Sequence, residues 1–241
     1  MSDVRNITIP CASGERVAVL AVPGAGPAKH PGVVVIHDIT GFRPDTRRHC
    51  ERFADAGYVA IAPDLYGGGS VGCVVRTLLS SGRGKGEAHE LIATARRTLA
   101  QRDDVDEDRI GVMGFCMGGG FALIAAADDQ YAVAAPFYGD VPKRAERLRG
   151  ICPTLAQYGE HDRAFTSHAK RLRRHLKELD VPHEVLIHPG VGHSFMNDHK
   201  GAAFRLGAHL PPMYAKYDES TEADAWARVL AFFSEHMPAA A

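Results

Sequence analysis

Cys116 stands in Gly114-Phe115-Cys116-Met117-Gly118-Gly119, after the apolar run 109–113 and before the helix-like run 121–126. A strand that turns sharply into a helix strains the residue at its apex and leaves no room for side chains two positions either side. Gly114 and Gly118 therefore mark a nucleophile elbow with cysteine at its tip. A helix opening near Met117 aims its N-terminal amides at the sulfur, which favours thiolate over thiol. A thiolate so presented can attack an acyl carbonyl, and it then needs a base and an acid that orients the base. Two further turns offer them: Gly159-Glu160-His161-Asp162, and Pro189-Gly190-Val191-Gly192-His193-Ser194-Phe195. Asp162 is the candidate acid, with Glu160 as competitor. His193 is the candidate base, with His161 as the imidazole to distinguish from it.

Other readings of the same residues fit less well. A glycine-rich strand-to-helix turn also binds phosphates, but the glycines at 111, 114, 118, 119 and 120 do not follow G-x-G-x-x-G. A metal site drawn from His188, His193 and His199 lacks the helical i, i+4 pair or the C-x-x-C framework of zinc sites. An activated Cys116 could also serve a thiol redox or electrophile-sensing protein, for which Cys152 or Cys73 would have to approach as a resolving thiol. A hydrolase-like module without activity is a third reading, although all three candidate positions are filled.

The elements around these turns alternate. Segments 4–9 and 17–22 are short and β-branched with a hairpin turn at 12–15, an antiparallel start. Pro31–Ile36 and Tyr58–Ala62 are continuous apolar runs, as in strands buried on both faces, with a helical pattern from Pro44 to Ala56 between them. Further helices are expected over 87–99, 167–179 and 222–236, and strands over 110–113, 132–138, 154–158 and 184–188. This is α/β patterning: a mostly parallel central sheet with helices on both faces, in a single domain over 1–241 with no interior linker. The stretches 67–86, glycine-rich with Arg76 and Arg83, and 197–217 follow strand ends, where open α/β sheets bind ligands; the first is a candidate lid.

The totals exclude some classes. The chain has 28 Lys plus Arg against 29 Asp plus Glu, a net charge of -1, which gives no sign of a nucleic-acid or acidic-membrane partner. Cysteines at 11, 50, 73, 116 and 152 are odd in number and unpaired in spacing, which points to reduced thiols and a cytoplasmic location. The first ten residues lack the apolar core of a signal peptide, and no apolar run approaches membrane-spanning length. A monomer or homodimer is expected.

The order Cys116, Asp162, His193 is that of α/β-hydrolase triads. With Val33–Gly41, Tyr58–Tyr66, the Cys elbow and Gly192-His193-Ser194-Phe195, it makes the chain resemble the dienelactone hydrolase family over residues 30 to 200. The resemblance implies an α/β-hydrolase fold and cofactor-free hydrolysis of a small ester or lactone by Cys116, His193 and Asp162. Backbone amides of Met117 and Ile39 would hold the oxyanion. It further implies a thiol-activating carboxylate at Asp38, where family members carry glutamate. The dienelactone-cleaving members carry a substrate-gripping arginine four residues past the histidine, and Asn197 stands there instead. Arg76, Arg83 and Asn197 are the candidate substrate-binding residues.

Overall fold

The computed structural model describes residues 1–24, 26, 28–67, 77, 85–200 and 211–237. Eight strands form one sheet in the order β1-β2-β4-β3-β5-β6-β7-β8. β1 (Asp3–Cys11) and β2 (Gly14–Val22) form the expected hairpin, and β2 joins β4 (Val59–Pro63) antiparallel. β3 (His30–Ile36), β4, β5 (Val105–Phe115), β6 (Val133–Phe137), β7 (Thr154–Gly159) and β8 (His183–His188) run parallel. β3, β4 and β6 are covered on both sides, which is why they read as unbroken apolar runs.

Two helices, α1 (Pro44–Asp55) and the C-terminal α5 (Glu219–His236), cover one face and meet where Phe53 packs edge-on against Trp226 at 4.7 Å. On the other face lie α2 (Glu87–Ala100), α3 (Met117–Asp128) and α4 (Thr166–Glu178). α3 is buried along nearly its whole length, which accounts for its uniform run of Gly, Ala, Leu and Ile in place of an amphipathic stripe.

Two differences from the sequence reading have local causes. β5 starts at Val105, five residues before the expected strand, because its polar first half pairs with β3 across a register shift between His30 and Gly32. That half shows no hydrophobic pattern for a sequence to reveal. A short 3-10 helix, Ala145–Leu148, fills the long connection after β6.

The elbow is as tight as its glycines imply. Cys116 has φ 53°, in the left-handed region, and a Cβ on Gly114 would lie 2.1 Å from the Gly118 carbonyl oxygen. A Cβ on Gly118 would lie 2.5 Å from the carbonyl oxygens of both Ile36 and His37. These atoms are backbone and cannot swing away. Gly118→Ala is therefore expected to destabilise the protein by roughly 3 kcal/mol, a melting temperature about 6–12 °C lower. An unchanged melting temperature would show that the elbow relaxes freely.

Candidate active site

Every expected site residue in the described part of the chain sits at or beyond the carboxyl end of a strand. Cys116 follows β5 directly, and its N–H donates to the Phe137 carbonyl oxygen at the end of β6 (3.0 Å). Asp162 lies in the turn after β7 and His193 in the loop after β8. His193 Nδ1 donates to Asp162 Oδ2 at 2.6 Å, with the side chains 3 % and 0 % exposed. Backbone contacts fix both loops: the His193 N–H donates to Met213 O (2.8 Å), the Lys216 N–H donates to His193 O (2.9 Å), and the His161 N–H of the Asp162 turn donates to Val191 O (2.9 Å). Gly159 and Gly192 are needed because a Cβ on either would meet backbone oxygens at 2.3 and 2.1 Å.

Glu160 and His161, the alternatives to Asp162 and His193, are exposed. The Glu160 carboxylate accepts from the Gly190 N–H at 3.0 Å. His188, His193 and His199 go to three different partners: Gln157, Asp162 and Asp38.

The His193 ring packs against Tyr138 (4.6 Å between centroids) and Phe165 (5.1 Å). Its second nitrogen, Nε2, is buried without a hydrogen bond of ordinary geometry, while the Cys116 sulfur is close enough to act on the ring. Burial alone would lower the pKa of His193. The hydrogen bond to Asp162 and the adjacent Cys116 sulfur outweigh it and raise His193 well above the ordinary imidazole value. The ring thus sits between a carboxylate on one nitrogen and a thiol near the other, an arrangement that can hold and deliver a proton.

Met117 opens α3 beside Cys116, and Ile39 lies in the loop after β3. Among the described residues neither N–H has an acceptor. One side chain joins the two residues: the Tyr66 hydroxyl lies 3.2 Å from Ile39 O and 3.3 Å from Met117 Sδ. Burial, with Asp38 and Cys116 nearby, raises the Tyr66 pKa, so its hydroxyl stays protonated as a donor.

Asp38 is almost fully enclosed. Its Oδ1 accepts from the Thr40 N–H (2.8 Å) and hydroxyl (2.6 Å), and its Oδ2 accepts from Asn197 Nδ2 (2.7 Å) and His199 Nε2 (3.0 Å). Burial would raise its pKa, but the His199 contact and the Thr40 bonds together lower it to about 2. The carboxylate is charged throughout the neutral range. The stability this shift contributes is present above the unfolded value, about 3.9, and is lost as pH falls through about 2. Asn197, a candidate substrate contact, is buried, and its amide is taken up by Asp38 on one side and by His49 Nε2 at 3.0 Å on the other. Arg76, Arg83 and most of the 67–86 stretch lie outside the described residues.

Sequence reasoning missed Tyr138, Phe165, Thr40 and His49 as neighbours of the site and quoted Tyr66 only as part of a motif. Tyr66 and Tyr138 each follow a strand end, a position that would have flagged them. His49 lies on α1 and Phe165 directly before α4, and the contact of each with the site is purely tertiary.

The family model described as dienelactone hydrolase family matches residues 17–237. The chain belongs to the dienelactone hydrolase family. Among similar proteins is a Yersinia pestis protein provisionally named carboxymethylenebutenolidase, 28 % identical over 95 % of this chain and 87 % of its own. A Klebsiella pneumoniae crystal structure, provisionally named dienelactone hydrolase, superposes with a TM-score of 0.78 at 24 % identity, covering 98 % of this chain and 99 % of that one. A dienelactone hydrolase-like promiscuous phosphotriesterase from metagenomic libraries superposes with a TM-score of 0.83 at 22 % identity, covering 98 % of each chain. The fold is thus the α/β-hydrolase fold, and this dienelactone hydrolase family member is a hydrolase. Among its described residues, no helix is long and apolar enough to cross a membrane.

Proposed function

We propose that Cys116, His193 and Asp162 form a nucleophile-base-acid triad that hydrolyses a small carboxylic ester or lactone through a thioester. The observation that carries this reading is the buried 2.6 Å pair of His193 and Asp162 beside a cysteine held at φ 53° at the N-cap of α3. The Cys116 thiolate attacks the carbonyl carbon, and the carbonyl electron pair moves onto oxygen, which the N–H groups of Ile39 and Met117 receive. Collapse of that intermediate breaks the bond to the alcohol oxygen, which takes a proton from His193 Nε2. Water, deprotonated by His193, then attacks the thioester. The acid leaves, and the thiolate-imidazolium pair is restored. Asp162 holds the proton on Nδ1 throughout, so that Nε2 faces the chemistry.

Thiol redox cycling has less support. Cys152 lies two residues before β7, at the opposite end of the sheet from Cys116, roughly a six-residue strand or 20 Å away. Burial also raises its thiol to about 12. Cys73 lies outside the described residues.

Two features support a neutral substrate. Asn197 stands where the dienelactone-cleaving pattern has an arginine, and its amide is committed within the fold. Ile39, linked through Tyr66 to Met117, and Met213, bonded to the His193 N–H through its carbonyl, are large apolar side chains left 46 % and 38 % exposed. The test is turnover of p-nitrophenyl acetate, p-nitrophenyl butyrate, an acyl thioester and cis-dienelactone. The expected result is hydrolysis of the neutral esters with kcat/KM at least about tenfold above that for cis-dienelactone, a difference near 1.4 kcal/mol. A clear preference for the carboxylate-bearing lactone would overturn the neutral-substrate reading. No turnover of any of them would overturn the hydrolytic one.

A further inference from the structure

Asp38 sits between the two loops that the proposed chemistry must hold in register. One is its own loop, which carries the Ile39 N–H. The other follows β8 and carries His193, Asn197 and His199.

On the first loop the peptide joining Asp38 to Ile39 is pinned at its carbonyl, which accepts from His37 Nδ1 at 2.7 Å and from the Gly41 N–H at 3.1 Å. A peptide group is planar and trans, so fixing this C=O fixes the Ile39 N–H pointing the opposite way. His37 is itself oriented, because its Nε2 accepts from the Leu65 N–H at 3.1 Å and burial lowers its pKa, keeping it neutral. The Asp38 carboxylate closes the turn by taking both the N–H and the hydroxyl of Thr40.

Its second oxygen reaches the other loop through Asn197 and His199. Asn197 continues the link to His49, whose ring stacks on Phe115 (4.5 Å), the residue before the nucleophile. The Asn197 N–H also donates to Ser194 O at 3.0 Å, one residue past His193. Among the described residues, the four hydrogen bonds to the carboxylate thus come from the two loops, and none comes from Cys116.

We infer that Asp38 is a positioning residue: its carboxylate clamps the loop bearing the Ile39 amide to the loop bearing His193, and so sets the oxyanion site against the base. The inference rests on the hydrolytic reading above. It differs from thiol activation, the role carried over from the family's glutamate, in what it demands of the thiol. Alkylation of Cys116 by iodoacetamide is displacement at a saturated carbon and forms no oxyanion. Loss of a thiol-activating group slows alkylation and ester turnover together, whereas loss of the clamp slows only turnover.

The experiment compares wild type, Asp38→Asn and Thr40→Val for kcat and KM on p-nitrophenyl acetate and for the rate of Cys116 alkylation across pH. Asp38→Asn is expected to lower kcat roughly 10²–10³-fold, the size of losing one oxyanion donor. Its KM and its alkylation rate should stay within about threefold of wild type, a split that general loss of structure would not produce. Thr40→Val removes one of the four bonds and leaves the carboxylate in place, so it carries the test should Asp38→Asn fail to fold. Its kcat is expected to fall about tenfold, with alkylation unchanged. A parallel fall of alkylation and turnover in Asp38→Asn, or wild-type kcat in the folded variants, overturns the inference alone. A wild type that alkylates at Cys116 yet turns over no ester overturns the hydrolytic reading, and the inference with it.

Discussion

Cys116→Ala is expected to lower ester kcat/KM by roughly 10⁴-fold or more while leaving the fold intact. The two halves of this expectation have separate causes. Alanine retains the Cβ that the left-handed apex already accommodates, so φ 53° is no more strained than before. The backbone bond from the 116 N–H to Phe137 O is also kept. What disappears is the only atom at the apex able to bond to an acyl carbon. On the proposed mechanism, the remaining Ile39 and Met117 amides and the binding surface would supply only residual catalysis over water. The checks are kcat/KM on p-nitrophenyl butyrate beside a thermal melt. Unchanged turnover in a folded variant would place the nucleophile elsewhere.

Asp162→Asn is expected to cost roughly 10³–10⁴-fold in kcat, with KM little changed. Asp162 accepts from His193 Nδ1 inside a site that neither side chain shares with solvent. An asparagine there can present its NH₂ to Nδ1, which turns the imidazole into the wrong tautomer and moves the proton to Nε2, where the base must be free. The variant also carries a pH signature. Against burial, Asp162 and Cys116 raise the pKa of His193, so the imidazolium persists well above neutral pH and the alkaline limb of kcat/KM lies far from pH 7. Removing the carboxylate leaves burial, which favours the neutral ring, opposed only by Cys116. The limb should therefore move toward neutral pH. A full pH profile of wild type and variant checks this, and an unmoved limb would mean that His193 is not the group that titrates.

Much of the site was legible because its constraints are local. The elbow glycines are dictated by atoms within four residues of Cys116 or by the strand alongside; before His193, Gly192 answers backbone oxygens that any Cβ would strike, and Gly190 takes a left-handed φ of 72°. Choosing Asp162 over Glu160 needed the fold. Both sit in one tight turn, and only the path of the chain after Gly159 sends one side chain inward and the other to the Gly190 N–H. Asn197 shows the limit more sharply. Its position relative to His193 suggested a surface facing substrate, but its environment comes from residues 148 and 159 positions away, His49 and Asp38, which no spacing rule connects to it. The polar first half of β5 escaped for a related reason: its place in the sheet comes from pairing with β3, not from any pattern of its own.

The most direct test of the central claim is to quench wild-type protein during turnover of p-nitrophenyl butyrate and to find the acyl group by mass spectrometry of its peptides. The expected result is a butyryl mass on the peptide containing Cys116 that is labile to hydroxylamine, absent in Cys116→Ala and more abundant in His193→Ala relative to turnover. Steady ester hydrolysis with no acyl group on Cys116, or an acyl group carried by another residue, would contradict it.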